Sequence, residues 1–197
     1  MHNYFLTGHR GFLGSALAEK LTNTQLYTGD VRSADRVNTY SGMSHVIHFA
    51  SPSDDYDFKD VDKTVTTIIN GTINMVNLAR KNNAKLIFAS TLGVCELSHD
   101  NSYTCCKAAM EQYIISANID YVILRIPRVY DKTRIKGLMK KIRLGHVRST
   151  DLNNTVEYLT LQSFIDQTIS VINMSRLIYH YDKLYTDTIS NIRDMMT

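Results

Sequence analysis

The opening of the chain constrains its fold more than any other segment. Tyr4-Phe5-Leu6 is a short apolar run that leads into Thr7-Gly8-His9-Arg10-Gly11-Phe12-Leu13-Gly14. The glycines follow an expected strand and open an expected helix, on which Ala16, Leu17 and Leu21 share one face. A strand–turn–helix unit of this spacing suits a dinucleotide pyrophosphate. Gly8 permits the tight turn, Gly11 lets backbone approach the phosphates, and Gly14 lets the helix lie close to the strand. The N–H groups at the positive end of the helix dipole would face the anion. A plain strand–turn–helix without a ligand is the competing reading of the glycines alone.

Strands and helices then alternate. Strands are expected at 3–7, 25–29, 44–50, 85–90 and 121–126, several of them continuous apolar runs of the kind covered on both sheet faces. Helices are expected at 67–81, with Ile69, Ile73 and Val76 on one face, and at 102–116, with Met110 and Ile114 inward. This rhythm predicts an α/β fold, a doubly wound parallel sheet of Rossmann-like type with right-handed crossovers. Past Pro127 the pattern loosens: a helix at 137–144, a strand at 156–161, a helix at 163–174, a strand at 177–181 and a helix from Thr186. The expected organisation is one dinucleotide-binding domain over 1–197, with a small C-terminal remnant of a substrate region from about residue 131.

The 197 residues are 44% hydrophobic with two prolines, an ordinary globular composition. No apolar run reaches membrane-spanning length and the N-terminus lacks a signal-peptide pattern, so a cytoplasmic protein without membrane contact is expected. Cys95, Cys105 and Cys106 make no disulfide framework. His45 and His48, three apart in a strand, face opposite sides, and no metal site is expected. The net charge of +3 is uneven, with seven basic and no acidic residues between Lys132 and Arg148. That run could meet phosphates, but it reads more simply as a solvated helix face. It lacks interleaved aromatics, so nucleic acid is not an expected partner.

Tyr103 and Lys107, four apart near a helix start, share a face. A cation beside a phenol favours phenolate, so the expected pKa lies below the usual value of about 10. Such a Tyr can serve as general acid or base. Tyr179 and Lys183 repeat the spacing, so position carries the weight. Ser90 and Thr91 end the fourth strand, at the edge where doubly wound sheets bind ligands, and Tyr103 follows shortly after.

The chain resembles the extended short-chain dehydrogenases/reductases, within the NAD-dependent epimerase/dehydratase group that acts on nucleotide sugars. The likeness runs in order through TGHRGFLG at 7–14, GDVR at 29–32, HVIHFASPS at 45–53, NGTINMVNLARKNNAKLIFAST at 70–91, YTCCK at 103–107 and RIPRVYD at 125–131. Segment 45–91 is similar to UDP-glucuronate decarboxylases, and the GHRG turn to GDP-fucose synthases. The resemblance implies that Gly8, Gly11 and Gly14 hold the pyrophosphate of NAD or NADP, with Arg10, Phe12 and Leu13 also binding the cofactor. Asp30, Val31 and Arg32 would lie at its adenosine end, and Phe49, Ala50 and Ser51 would line its groove. Thr91, Tyr103 and Lys107 would be catalytic, with Lys107 also bonding the nicotinamide ribose. A nucleotide-sugar substrate is implied, and a homodimer formed through helices near 67–81 and 102–117.

Departures from the family pattern leave alternatives open. Only one strand fits between the first helix and His45, where the family usually has two. Asp30 is then either the acid ending the second strand or part of the later turn that contacts adenine. In the second case Arg10 and Arg32 could favour a 2′-phosphate. The loop from Thr91 to Tyr103 is short. Leu92 and Gly93 stand where decarboxylases and dehydratases carry an acid, with Glu96 farther on, and Arg128 replaces a common Asn. The expected function is an NAD(P)-dependent epimerase/dehydratase-type oxidoreductase, specifically an epimerase or reductase. The alternative is a catalytically degenerate NAD(P)-binding module that acts as a sensor or scaffold.

Overall fold

The most apolar segments of the chain become the middle of a parallel sheet. The computed structural model describes residues 2–52, 59–95, 101–134 and 136–196. In chain order the elements are β1 (Tyr4–Thr7), α1 (Phe12–Ala18), β2 (Thr24–Tyr27), α2 (Ala34–Val37), β3 (His45–His48), α3 (Val61–Asn82) and β4 (Lys85–Thr91). A 3-10 turn (Leu92–Cys95) precedes α4 (Ser102–Ser116), β5 (Tyr121–Ile126), β6 (Val129–Tyr130) and α5 (Gly137–Arg143). After a second 3-10 turn (Ser149–Asp151) come β7 (Thr155–Thr160), α6 (Leu161–Val171), β8 (Leu177–His180), β9 (Tyr185–Thr188) and α7 (Ile189–Met196).

Six strands pair in the order β2-β1-β3-β4-β5-β8, and every pairing is parallel. Alternate side chains feed two cores. Phe5, Val46, Leu86, Phe88 and Ile123 pack with α3 and α4 on one face, while Leu6, Ile47, Ile87, Val122 and Leu124 pack with α1 and α6 on the other. Most of these side chains are fully buried, and burial on that scale stabilises by roughly 1.5–3 kcal/mol per side chain. The covering of both faces is the doubly wound α/β architecture. A smaller sheet, β6-β7-β9, closes over α5 and α7 around Met139, Ile142, Tyr158 and Ile192.

Several elements differ from the sequence expectation for physical reasons. Helix α3 starts at Val61 rather than residue 67, because the Asp60 side chain accepts from the Lys63 N–H at 3.0 Å and caps it. Its buried stripe runs through Thr64, Ile68, Met75 and Leu78, leaving Ile69 and Ile73 only half-buried. A helix was expected from Thr186, but Tyr185–Thr188 forms β9, antiparallel to β7. Thr188 Oγ1 then accepts from the Asn191 N–H at 3.1 Å and starts α7. Only α2, a single turn, separates β2 from β3. Strand β2 is therefore the sheet edge, and the extra strand that the family usually has there is absent from the described residues.

Candidate active site

The glycine turn is built around close backbone contact. Gly8 has φ +76, and a Cβ there would lie 2.5 Å from the Phe49 carbonyl carbon. A Cβ on Gly14 would lie 2.2 Å from the Gly8 oxygen. Only glycine fits either position. At Gly11 a Cβ would meet just one atom, the Gly8 oxygen at 3.2 Å, and would otherwise project into open space. No side chain caps α1, and His9 Nδ1 is buried without a partner. An open backbone cradle with an unsatisfied polar atom beside it fits an anionic ligand such as a pyrophosphate. Arg10 is exposed, while Phe12 and Leu13 are half-buried against the α1–α6 core.

The turn is tied to β3. The Ala50 N–H donates to Thr7 Oγ1 at 3.2 Å, and Thr7 Oγ1 shares a 2.8 Å bond with His48 Nδ1. Burial and the neighbouring Lys107 push the His48 pKa down to about 3, so the ring is neutral. His45 lies elsewhere, with its ring 4.7 Å from His2 and 5.2 Å from Tyr4. Among the described residues no set of His, Cys, Asp or Glu gathers to hold a metal ion.

One residue past Ala50, the Ser51 hydroxyl lies near enough to Tyr103 to favour its phenolate. Helix α4 starts where it does because Asn101 accepts from the Thr104 N–H at 2.9 Å, which sets Tyr103 in the first turn. Tyr103 is half-buried, and desolvation acts on its hydroxyl. One turn on, Lys107 is 2% exposed, with Nζ 4.5 Å from the Phe88 ring centre and 5.6 Å from that of Tyr103. The ammonium donates to the Ala89 carbonyl at 2.6 Å. Thr91, at the end of β4, accepts from the Gly93 N–H at 3.3 Å through Oγ1 and keeps its own proton to donate.

The electrostatics overturn one expectation. The Tyr103 pKa is pushed up to about 12 by burial, against smaller lowering effects of Ser51 and Arg134. Burial also pulls Lys107 down to about 7, with Glu111 opposing. Desolvation penalises charge on both groups, and in the ligand-free protein it outweighs the help a cation gives a phenolate.

At the edge strand, Asp30 lies three residues beyond the end of β2. Arg32 grips its carboxylate with Nε at 3.0 Å and Nη2 at 2.7 Å, which holds Asp30 below the usual carboxylate range. Val31 is buried, and its carbonyl accepts from Asn74 Nδ2 at 2.8 Å, so α3 anchors the turn. The structure thus gathers Gly8, Phe49, Ala50, Ser51, Tyr103, Lys107 and Thr91 at the carboxyl edge of β1, β3 and β4. Asp30, Val31 and Arg32 sit past the neighbouring strand. Glu96 lies outside the described residues.

Two side chains at the site were not singled out by the sequence. Glu111, one turn past Lys107, is 1% exposed and held by the Ser90 hydroxyl and by Arg125 Nη2 at 2.6 Å. Its spacing from Lys107 was the signal that could have found it. Arg134 lies over Phe12, with its guanidinium carbon 5.1 Å from the ring centre. No local pattern marks it.

A profile of the NAD dependent epimerase/dehydratase family matches residues 4–149. The chain belongs to that family. No curated protein sequence matches it significantly. Among solved structures it is similar to the Bordetella bronchiseptica enzyme WbmH in complex with NAD+, at 20% identity and a TM-score of 0.81, covering 98% of this chain and 79% of that one. The Thermus thermophilus UDP-glucose 4-epimerase complex with NAD gives 17% identity and 0.81, covering 98% and 82%. The Bacillus anthracis dTDP-4-dehydrorhamnose reductase in complex with NADP gives 20% and 0.79, covering 99% and 79%. At these identities the likeness speaks for the Rossmann-like fold. No described helix is long and apolar enough to cross a membrane.

Proposed function

We propose that the chain is an oxidoreductase that binds NAD or NADP and acts on a nucleotide sugar as an epimerase or reductase. One observation carries the reading. The glycine turn packs against Phe49 and Ala50, and the next residue, Ser51, acts on the Tyr103 phenol along the same sheet edge. Names of similar structures, a UDP-glucose 4-epimerase with NAD and a dTDP-sugar reductase with NADP, support the substrate and cofactor classes.

When bound, the dinucleotide supplies hydride acceptance and donation. Gly8, Gly11 and Gly14 would hold its pyrophosphate with Arg10, Phe12 and Leu13 beside them, Asp30, Val31 and Arg32 would meet its adenosine end, and Phe49, Ala50 and Ser51 would line the groove between. Tyr103 would move the proton of the reacting hydroxyl at its phenol oxygen. Thr91, with a proton left to donate, would hold the reacting oxygen. Lys107 would orient the cofactor ribose and steady the charged phenol. Residues 131–197 would act as a reduced substrate region. Self-association through α3 and α4 belongs to the same reading, supported by the half-buried Ile73 and by Ile115, 37% exposed. Light scattering that finds only monomer would remove that part.

Turnover is tested with purified protein, NAD or NADP, and a panel of UDP-, dTDP- and GDP-sugars, beside Tyr103→Phe. Loss of general acid–base help should lower the rate by about 100-fold or more, with dinucleotide affinity kept. Product no greater than that of the variant defeats the enzyme. Dinucleotide binding with no turnover on any sugar leaves a binding module, and no dinucleotide binding defeats both.

A further inference from the structure

Arg134 follows β6 inside the basic run, but it does not join the solvated helix face. Its Nη1 donates to the Val129 carbonyl at 2.6 Å. The guanidinium lies over Phe12, in the glycine turn, and its charge acts on Tyr103. One side chain thus lies over the cradle and within electrostatic range of the phenol.

A half-buried cation without a counter-charge is costly. Other arginines avoid that cost. Arg32, Arg125, Arg148 and Arg193 hold Asp30, Glu111, Asp151 and Asp194, while Arg10, Arg36, Arg128 and Arg143 are exposed. Among the described residues Arg134 has no carboxylate partner, and its Nε and Nη2 make no hydrogen bond. Burial pulls its pKa below the usual arginine range, yet a guanidinium stays charged at any working pH. The Val129 carbonyl and the Phe12 face fix the plane of the fork. A fixed planar fork with two donor nitrogens to spare, Nε and Nη2, matches a pair of phosphate oxygens.

We propose that Arg134 is a phosphate receptor between the glycine turn and Tyr103, a reading that rests on the function proposed above. The phosphate belongs either to the dinucleotide or to the diphosphate of the sugar nucleotide, and binding measurements separate the two. NAD, NADP, UDP, dTDP and inorganic pyrophosphate are titrated calorimetrically into wild type, Arg134→Lys, Arg134→Gln and Arg134→Met, the last keeping an apolar stem over Phe12. Circular dichroism and urea midpoints monitor folding.

Expected is a loss of at least tenfold for one class in Arg134→Gln and Arg134→Met. Arg134→Lys should recover part of it, and the other class should stay within twofold. Loss confined to NAD and NADP assigns the cofactor phosphate; loss confined to UDP and dTDP assigns the substrate phosphate. Ligands that bind wild type and both neutral variants within twofold overturn the role of Arg134 alone. A loss that Arg134→Lys fails to recover, and that tracks a lowered urea midpoint, overturns it too. Wild type that binds neither class brings down the functional reading and this proposal with it.

Discussion

Lys107 turns the packing of the site into a measurable pH dependence. The residue is 2% exposed and burial holds its pKa at about 7 instead of 10.5. Between those two pH values the unfolded chain binds a proton that the folded chain does not, so stability rises with pH across the window. Below pH 7 the penalty for burying the charge is fully present. One pH unit is worth about 1.4 kcal/mol, so moving from pH 6 to pH 9 relieves wild type of about 2–3 kcal/mol. Lys107→Met keeps the length and apolar stem and has nothing to titrate. It leaves the Ala89 carbonyl unpaired, a cost of about 1–3 kcal/mol that is the same at every pH. Urea unfolding of both proteins at pH 6, 7, 8 and 9 isolates the term, because all other titrations cancel in the difference. The difference should climb by about 2–3 kcal/mol in favour of wild type. A flat difference would refute a desolvated amine. The opposite slope would mean that attraction to Glu111 outweighs burial.

Other expectations follow from single contacts. Gly14→Ala places a methyl 2.2 Å from the Gly8 oxygen; urea unfolding should show a loss of at least about 2 kcal/mol, since overpacking against backbone has little relief. Glu111→Ala leaves Arg125 without its carboxylate and Ser90 without its acceptor. Breaking one side of a buried pair should cost about 3 kcal/mol, at the low end because Arg125 is partly exposed, and urea unfolding would check it. If Arg32 faces a 2′-phosphate, Arg32→Ala should weaken NADP about tenfold relative to NAD, consistent with one lost charge-assisted pair; equal affinities in wild type and variant would leave Arg32 as the partner of Asp30 alone.

What was legible in the sequence was whatever backbone geometry or strict periodicity demands. The glycines at 8 and 14 could be read because their contacts admit no side chain. The i, i+4 rule put Tyr103 and Lys107 on one face, and Asn101 and Ser102 mark the start of α4, which falls where expected. The central strands declared themselves as runs of Val, Ile, Leu and Phe. Arg134 was illegible because its direction is set by non-local pairing. Strand β6 has two residues, too few for any pattern, and its partner β7 lies some thirty residues on. Thr186 and Thr188 sit beside a helix-like tail, and only the ladder to β7 makes them a strand. The sign of the Tyr103 shift was also beyond the sequence. Spacing reveals the cation nearby, but the enclosure that outweighs it belongs to the assembled fold.

The same enclosure sets a condition on catalysis. Phenol and amine titrate about five pH units apart, near 12 and near 7. Moving a proton from Tyr103 to Lys107 therefore costs about 7 kcal/mol if the two act independently. With the 5.6 Å from Nζ to the ring centre taken as the separation, attraction between the resulting charges returns about 3 kcal/mol at an effective dielectric of 20. Roughly 4 kcal/mol remains for ligand contacts that favour the charged forms. Carbon-13 NMR of ring-labelled tyrosine, with Tyr103→Phe to assign the signal, should find Tyr103 protonated beyond pH 10 in the free protein. Saturating NAD or NADP with a nucleotide sugar should bring its titration down by several units. A free-protein value near 7 would mean that the cation governs the phenol after all. An unchanged high value in the loaded protein would leave Tyr103 without a route to phenolate at neutral pH.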